Sequence, residues 1–243
     1  MASWVSLGHP AVAEIMAAHG YDFILIDLEH TDLSLADAAN HIRAIEAAAG
    51  PTVPIVRVPW NDPVWIKRVL DLGPAGILVP MVEDADEARA AVEATRYPPA
   101  GIRGVAGGRA SGYGERFVEY VDEANENVAV ILQTETERSI ENAGEIAAVD
   151  GVDGLFIGPS DLSKGLDAFA EWADERVTGA VETIVTAGHD ADVSVGTLAV
   201  TETQIRDRID WDVDFMIVGT DARFVRIGSS EAKATFEAAV DGT

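Results

Sequence analysis

No cysteine occurs in the 243 residues, which removes disulfides, thiolate zinc sites and a cysteine nucleophile together. Any metal ion must rest on oxygen or imidazole. Positive charge is scarce as well: 17 Lys and Arg stand against 42 Asp and Glu, a formal net charge of −25. The lysines are Lys67, Lys164 and Lys233 alone. This balance argues electrostatically against a nucleic-acid partner. No apolar run approaches the roughly 18 residues that would suggest a membrane span. The segment Met1-Ala2-Ser3-Trp4-Val5 has no basic region leading into an apolar one, as a secretory signal would. A soluble protein of the cytoplasm, with no membrane partner, is expected.

The acidic residues that are present are dispersed through helical stretches such as Glu83-Asp84-Ala85-Asp86-Glu87 and Asp207-Arg208-Ile209-Asp210. Dispersed acid reads as a solvated surface rather than an interaction tail. Combined with so little lysine, it predicts a halophilic protein, because concentrated salt screens the self-repulsion.

The length and the alternation of short β-branched apolar runs with longer amphipathic segments predict one domain over residues 1–243, folded as an α/β (β/α)8 TIM barrel. Eight runs are candidate strands: Trp4–Leu7, Phe23–Leu28, Val53–Val58, Gly76–Val82, Val128–Leu132, Gly154–Ile157, Val193–Leu198 and Phe215–Val218. Phe23-Ile24-Leu25-Ile26 is continuously hydrophobic, as a parallel strand covered on both faces should be. Ser34-x-x-Asp37 and Thr201-x-x-Gln204 read as helix starts. The stretch from Tyr97 to about Asn127, rich in glycine, breaks the rhythm and reads as a long functional or mobile loop.

A barrel of this kind places its active site at the carboxyl ends of the strands. The second run ends in Asp27-Leu28-Glu29-His30, the third in Arg57, the fifth in Gln133-Thr134-Glu135 and the sixth in Gly158-Pro159-Ser160-Asp161. Gln133 and Glu135 are two apart and share a face of the strand. Alone, Glu135 reads equally as the cap of a helix beginning near Glu137, and Asp161 as an N-cap after a Gly-Pro turn. Together on one rim they form a hard-oxygen pair suited to magnesium or manganese. A 2-oxo acid can chelate such an ion, Arg57 can donate to a developing oxyanion, and His30 can move a proton near neutral pH. That set describes a metal-dependent aldolase.

These motifs resemble the HpcH/HpaI class II pyruvate aldolases, whose activities include 4-hydroxy-2-oxoheptanedioate and 2-dehydro-3-deoxyglucarate cleavage. The resemblance runs through Trp4-Val5-Ser6-Leu7-Gly8, Asp27-x-Glu29-His30, Val56-Arg57-Val58, Leu70-Asp71-Leu72-Gly73, Gly101-Ile102-Arg103-Gly104-Val105, Gln133-Thr134-Glu135, Gly158-Pro159-Ser160-Asp161 and Val218-Gly219-Thr220-Asp221. It implies a barrel of the phosphoenolpyruvate/pyruvate type, with His30 as acid/base, Arg57 as enolate stabiliser, and Asp71 as the acidic partner that raises the basicity of the histidine. It further implies Glu135 and Asp161 as ligands of Mg2+, Mn2+ or Co2+, Gln133 and Ser160 as contacts to the 2-oxo acid, and an aldehyde as second small-molecule partner. Members assemble as homohexamers that exchange C-terminal helices, which here implicates the segment after Asp221. The chain departs from the family at Thr31-Asp32, where a small residue and proline are usual. The added negative charge puts the usual acidic aldehydes in question. Two other readings remain at this stage: a malyl-CoA or citramalyl-CoA type thioester lyase, and a barrel that binds a 2-oxo acid without turnover. The chain shows no basic patch for CoA phosphates, and simple chelation would need neither His30 nor Arg57.

Overall fold

A computed structural model describes residues 1–241. Eight strands pair in sequence order, all parallel, and close into a barrel. They are β1 (Ala2–Val5), β2 (Phe23–Asp27), β3 (Val53–Arg57), β4 (Gly76–Val79), β5 (Ala129–Thr134), β6 (Gly154–Ile157), β7 (Ser194–Leu198) and β8 (Phe215–Thr220). The helices between them are α1 (Pro10–Ala17), α2 (Leu35–Ala47), α3 (Pro63–Leu70), α4 (Ala85–Thr95), α5 (Phe117–Asn127), α6 (Glu137–Glu141), α7 (Ala143–Ala147), α8 (Pro159–Gly165), α9 (Glu175–Asp190) and α10 (Glu202–Ile209). The last helix is α11 (Asp221–Asp241). No helix among the described residues is long and apolar enough to cross a membrane.

The strands carry two faces of buried apolar residues. Ile24, Ile26, Val56, Ile77, Val79, Leu132, Leu155 and Ile157 pack outward against the helices. Trp4, Leu25, Ile55, Leu78, Ile131, Phe156 and Ile217 fill the interior. Alternation with period two produces this split, and continuing it along β2, β3 and β5 points Asp27, Arg57 and Gln133 inward beyond the apolar plug. The space over Gly196 is taken by the Phe215 ring, 2.1 Å from where a Cβ would stand, so that position has no room for a side chain.

Two expectations from the sequence shift. The first strand is Ala2–Val5 rather than Trp4–Leu7, because the N–H groups of Ser6 and Leu7 leave the ladder and donate to Asp221 at the start of α11, at 3.0 and 2.8 Å. The Ser6 hydroxyl donates to the same carboxylate at 2.8 Å. This buried Asp221 ties the turn after β1 to the turn after β8. The second shift concerns the stretch from Tyr97 to Asn127, whose last 11 residues are α5 rather than loop. Phe117, Tyr120, Val121 and Ala124 recur at helical spacing, and Ala124 is buried. Arg103, fully buried, stacks on Tyr97 with its guanidinium carbon 4.5 Å from the ring centroid, and donates to the Tyr120 hydroxyl at 3.1 Å. The glycine-rich segment is thereby fastened to α5.

Candidate active site

The site begins at the register β2–β3, where Asp27 stands beside Arg57. Arg57 donates through Nε to Asp27 Oδ1 at 2.9 Å and through Nη2 to Oδ2 at 2.8 Å, a buried two-pronged pair. Its guanidinium carbon lies 4.5 Å from the ring centroid of Trp4. A planar fork clamped between a carboxylate and an aromatic face has little freedom, so its remaining N–H groups are held in fixed directions. Asp27 Oδ1 also accepts from the backbone N–H of Glu29 at 3.0 Å and of His30 at 3.4 Å. One carboxylate thus sets both the guanidinium and the turn that presents His30. Burial acts to raise the Asp27 pKa, but the hydrogen bond and charge of Arg57 prevail and hold it below the ordinary carboxylate value.

Glu29 Oε2 lies 2.7 Å from Arg57 Nη1, yet it is sealed from solvent with no hydrogen bond, so the contact is charge without alignment. Burial, then repulsion from Asp27 and Asp161, raises its pKa against the pull of Arg57 and His30. His30 Nε2 is 3.7 Å from Glu29 Oε1, and the imidazole is 69% exposed at the rim.

Glu135 follows β5 and is buried. It does not cap α6; Thr136 does, accepting from Ser139 N–H at 3.1 Å. Its carboxylate is free to face the interior, where Gln133 Nε2 donates to Oε2 and Met81 N–H to Oε1 at 3.3 Å. Met81 holds φ at +54°, a left-handed conformation for a non-glycine residue, and strain of this kind, of order 1–3 kcal/mol, concentrates at functional sites. Gly158 makes room opposite: a Cβ there would stand 2.3 Å from Glu135 Oε2 and 3.0 Å from Gln133 Nε2. Desolvation raises the Glu135 pKa to about 7, with Asp161 and Glu29 adding repulsion against the Gln133 hydrogen bond. Asp161 sits in the first turn of α8, exposed, and the helix has no side-chain cap. The alternative in which it caps that helix therefore does not hold.

The donor set fits a divalent cation. A buried carboxylate with two acid neighbours and no basic partner is short of positive charge, and Gln133 Oε1 is buried without a hydrogen bond. Among the described residues no cluster of three or more His, Asp or Glu forms a cage. Two protein carboxylates would leave coordination positions for water and substrate, the arrangement magnesium favours at catalytic sites.

The structure brings Asp27, Glu29, Arg57, Gln133 and Glu135 to one end of the barrel, with His30, Ser160 and Asp161 exposed at its rim. It does not bring Asp71 to His30: no ion pair joins them within the protomer, and Asp71 instead accepts from Arg103 Nη2 at 3.1 Å. Lys164 is exposed on α8. Asp27 and Glu29 stand in the polar ending of the second run and Trp4 opens the first, and the sequence assigns none of them a role. The spacing of Asp27 and Glu29 by two, which puts both on the inward side that Arg57 also faces, is the signal that assigns them one.

Comparison with known proteins gives concordant findings. The HpcH/HpaI aldolase/citrate lyase family matches residues 1–226. A 4-hydroxy-2-oxovalerate aldolase of Novosphingobium aromaticivorans is 45% identical over 223 residues, 90% of this chain and 83% of that protein. A 4-hydroxy-2-oxo-heptane-1,7-dioate aldolase of Shigella sonnei is 39% identical over 237 residues, 97% of this chain and 89% of that protein. Among solved structures, a HpcH/HpaI aldolase/citrate lyase family protein from Burkholderia cenocepacia J2315 superposes with a TM-score of 0.93 at 37% identity, covering 97% of this chain and 93% of that one.

Proposed function

Because the chain belongs to the HpcH/HpaI aldolase/citrate lyase family, we propose that it is a class II aldolase that cleaves 4-hydroxy-2-oxo acids reversibly to pyruvate and an aldehyde. The observation that carries this reading is Glu135, buried beside acid neighbours, short of a cation, and set in the same strand-end rim as the Arg57 fork. Glu135 and Asp161 would hold a divalent cation, Mg2+, Mn2+ or Co2+. The chemistry supplied when it is bound is Lewis-acid polarisation of the substrate's keto oxygen.

The chain's own residues do the rest. Arg57, immobilised by Asp27 and Trp4, directs its free N–H groups at the oxygen that gains negative charge as the enolate forms. Gln133 and Ser160 contact the 2-oxo acid. His30 takes the proton of the C4 hydroxyl as the C3–C4 bond breaks; the bonding pair passes to the pyruvate carbon as enolate and the aldehyde departs. In the condensing direction the same histidine returns the proton. Asp71 caps the C-terminus of α3, at the end of the barrel away from the rim, and is committed to Arg103 in the single chain, so it would support His30 only from another subunit.

The added charge of Asp32 beside His30, and the 45% identity to a protein named for the uncharged-aldehyde substrate 4-hydroxy-2-oxovalerate, favour neutral aldehydes. We further propose a homohexamer built through α11, which exposes Phe224, Val225 and Phe236 and packs chiefly on β1 and β8. A cytoplasmic location accords with this chemistry.

The test is pyruvate release from a panel of 4-hydroxy-2-oxo acids. A chelator abolishes it and magnesium, manganese or cobalt restores it. Asp161→Ala loses metal binding and turnover together, His30→Ala keeps the metal and loses the aldol step, and Lys164→Ala stays active. A borohydride-trapped pyruvate adduct on Lys164, indifferent to chelator, would overturn the proposal; Lys164 is exposed, whereas an imine lysine needs a buried site that lowers its pKa.

A further inference from the structure

On the outer face of the barrel, between α9 and α10, lies a cavity of about 560 Å3 lined by Trp172, Thr178, Gln204, Asp207, Arg208 and Trp211 among others. Arg208 is its anomaly. The residue is 2% exposed, its Nε is sealed from solvent without a partner, and among the described residues no hydrogen bond or ion pair engages any of its nitrogens. In a chain with 42 carboxylates, a buried guanidinium has been left unpaired. Two indoles pack against it, with the guanidinium carbon 4.8 Å from the Trp172 ring centroid and 5.0 Å from that of Trp211. Cation–π contact of this kind offsets part of the cost of burying the charge but supplies no hydrogen-bond acceptor, and no protein acceptor among the described residues meets the N–H donors.

We infer that this cleft is a binding site for a small, singly charged anion, held edge-on by Arg208 between the two indoles. Three features define the ligand. A guanidinium edge is shaped for an oxyanion such as a carboxylate, and accepts a halide with less directionality. Gln204 lines the same cavity; its side-chain oxygen accepts from Val200 N–H at 2.9 Å, and among the described residues no hydrogen bond engages its amide nitrogen. Glu171 and Asp207 stand exposed at the rim with no salt bridge, whereas Asp174 is paired with Arg176. Two exposed carboxylates at the mouth repel a dianion more than a monoanion. Desolvation lowers the Arg208 pKa to about 10 against the opposing charge of Asp207, and an anion beside it would oppose that shift further. Trp172 belongs to the segment between α8 and α9, so an occupied cleft would fasten the chain that follows the helix bearing Asp161.

The test titrates formate in place of sulfate at fixed ionic strength while tryptophan fluorescence is recorded. A saturable change is expected in the wild-type protein. In Arg208→Gln its half-saturation rises about tenfold or more, the loss of one charge-assisted hydrogen bond. The double variant Glu171→Gln/Asp207→Asn, both surface changes, binds formate more tightly and begins to accept sulfate. Crystals soaked in bromide place an anomalous peak at the Arg208 edge if the site takes halides as well. No saturable formate or bromide response in the wild type, or an unchanged response in Arg208→Gln, would overturn the inference.

Discussion

Replacing Glu135 by glutamine separates the two demands on that residue. The gap between its ordinary pKa of 4.5 and the value of about 7 in the folded chain corresponds, at about 1.4 kcal/mol per pH unit, to an upper bound of roughly 3 kcal/mol. The sign follows from the raised value. Protonated Glu135 is the form the fold prefers, so its contribution is intact below pH 4.5 and is lost as pH rises through about 7. Metal-free wild-type protein at pH 8 therefore carries a buried charge as a penalty that an uncharged amide lacks. The amide gives back part of this gain: Glu135 accepts from both Gln133 and Met81, and glutamine has one acceptor oxygen, which costs about 1 kcal/mol. A net stabilisation of roughly 2 kcal/mol is expected for Glu135→Gln at pH 8 without metal, or roughly 4–8 °C in the unfolding midpoint for a chain of this size. The assay is denaturant and thermal unfolding of chelated protein from pH 5 to 8.5 at constant salt, with aldol turnover measured in parallel. The stability difference should shrink toward pH 5 while turnover stays low throughout. A variant no more stable than wild type at pH 8, or a difference that ignores pH, would refute the account of Glu135 as a carboxylate awaiting a cation.

Gly158→Ala should keep the fold and weaken manganese binding about tenfold or more by calorimetry, because its methyl group would stand 2.3 Å from Glu135 Oε2 and turn that carboxylate aside. Arg57→Lys should lower kcat/KM by about 10²–10³, since a point charge cannot reproduce the fork to Asp27 and still aim at the oxyanion; steady-state kinetics with a folded-state control by circular dichroism decides it. Thermal unfolding should move upward from dilute buffer to molar potassium chloride, as screening shortens from about 10 Å to about 3 Å around a net charge of −25, and an unmoved midpoint would remove the halophilic reading. Deleting the chain beyond Gly228 removes the exposed Phe236 and should reduce the assembly to smaller species in light scattering.

The barrel could be read from the sequence because its evidence is local. Apolar runs, capping residues such as Ser34 and Thr201, and the acids that end β5 and β6 all declare themselves within a few positions. The rim was legible for the same reason, once strand ends were known to converge. What stayed hidden depends on partners far away in the chain. Nothing near Ser6 says that Asp221 will take its N–H and end the first strand early. Asp71 faces Arg103 only because the segment after α4 folds back over α3, a path that glycines permit but do not encode. The helix α5 was obscured because the glycines before it dominate the local composition, although the spacing of Phe117, Tyr120, Val121 and Ala124 was there to be counted. Arg208 looked like one more charge on an acidic helix; its isolation is a property of the two indoles that close over it.

The Asp221 clamp also bears on how the molecule is made. During synthesis β1 leaves the ribosome early and gains β2 within a few tens of residues, but its other edge waits for β8 and its turn for a carboxylate 215 positions downstream. Until then the nascent sheet is an open ribbon with two unsatisfied borders, one on β1 and one on whichever strand emerged last. The strands that end in Asp27 and Arg57, and those that lead into Glu135 and Asp161, lie in the arc from β2 to β6, away from the seam. The arc that carries the candidate site can therefore assemble before closure, and a fault in β8 would yield a chain with an organised rim and a sticky border, prone to recruit the same strand from a neighbour.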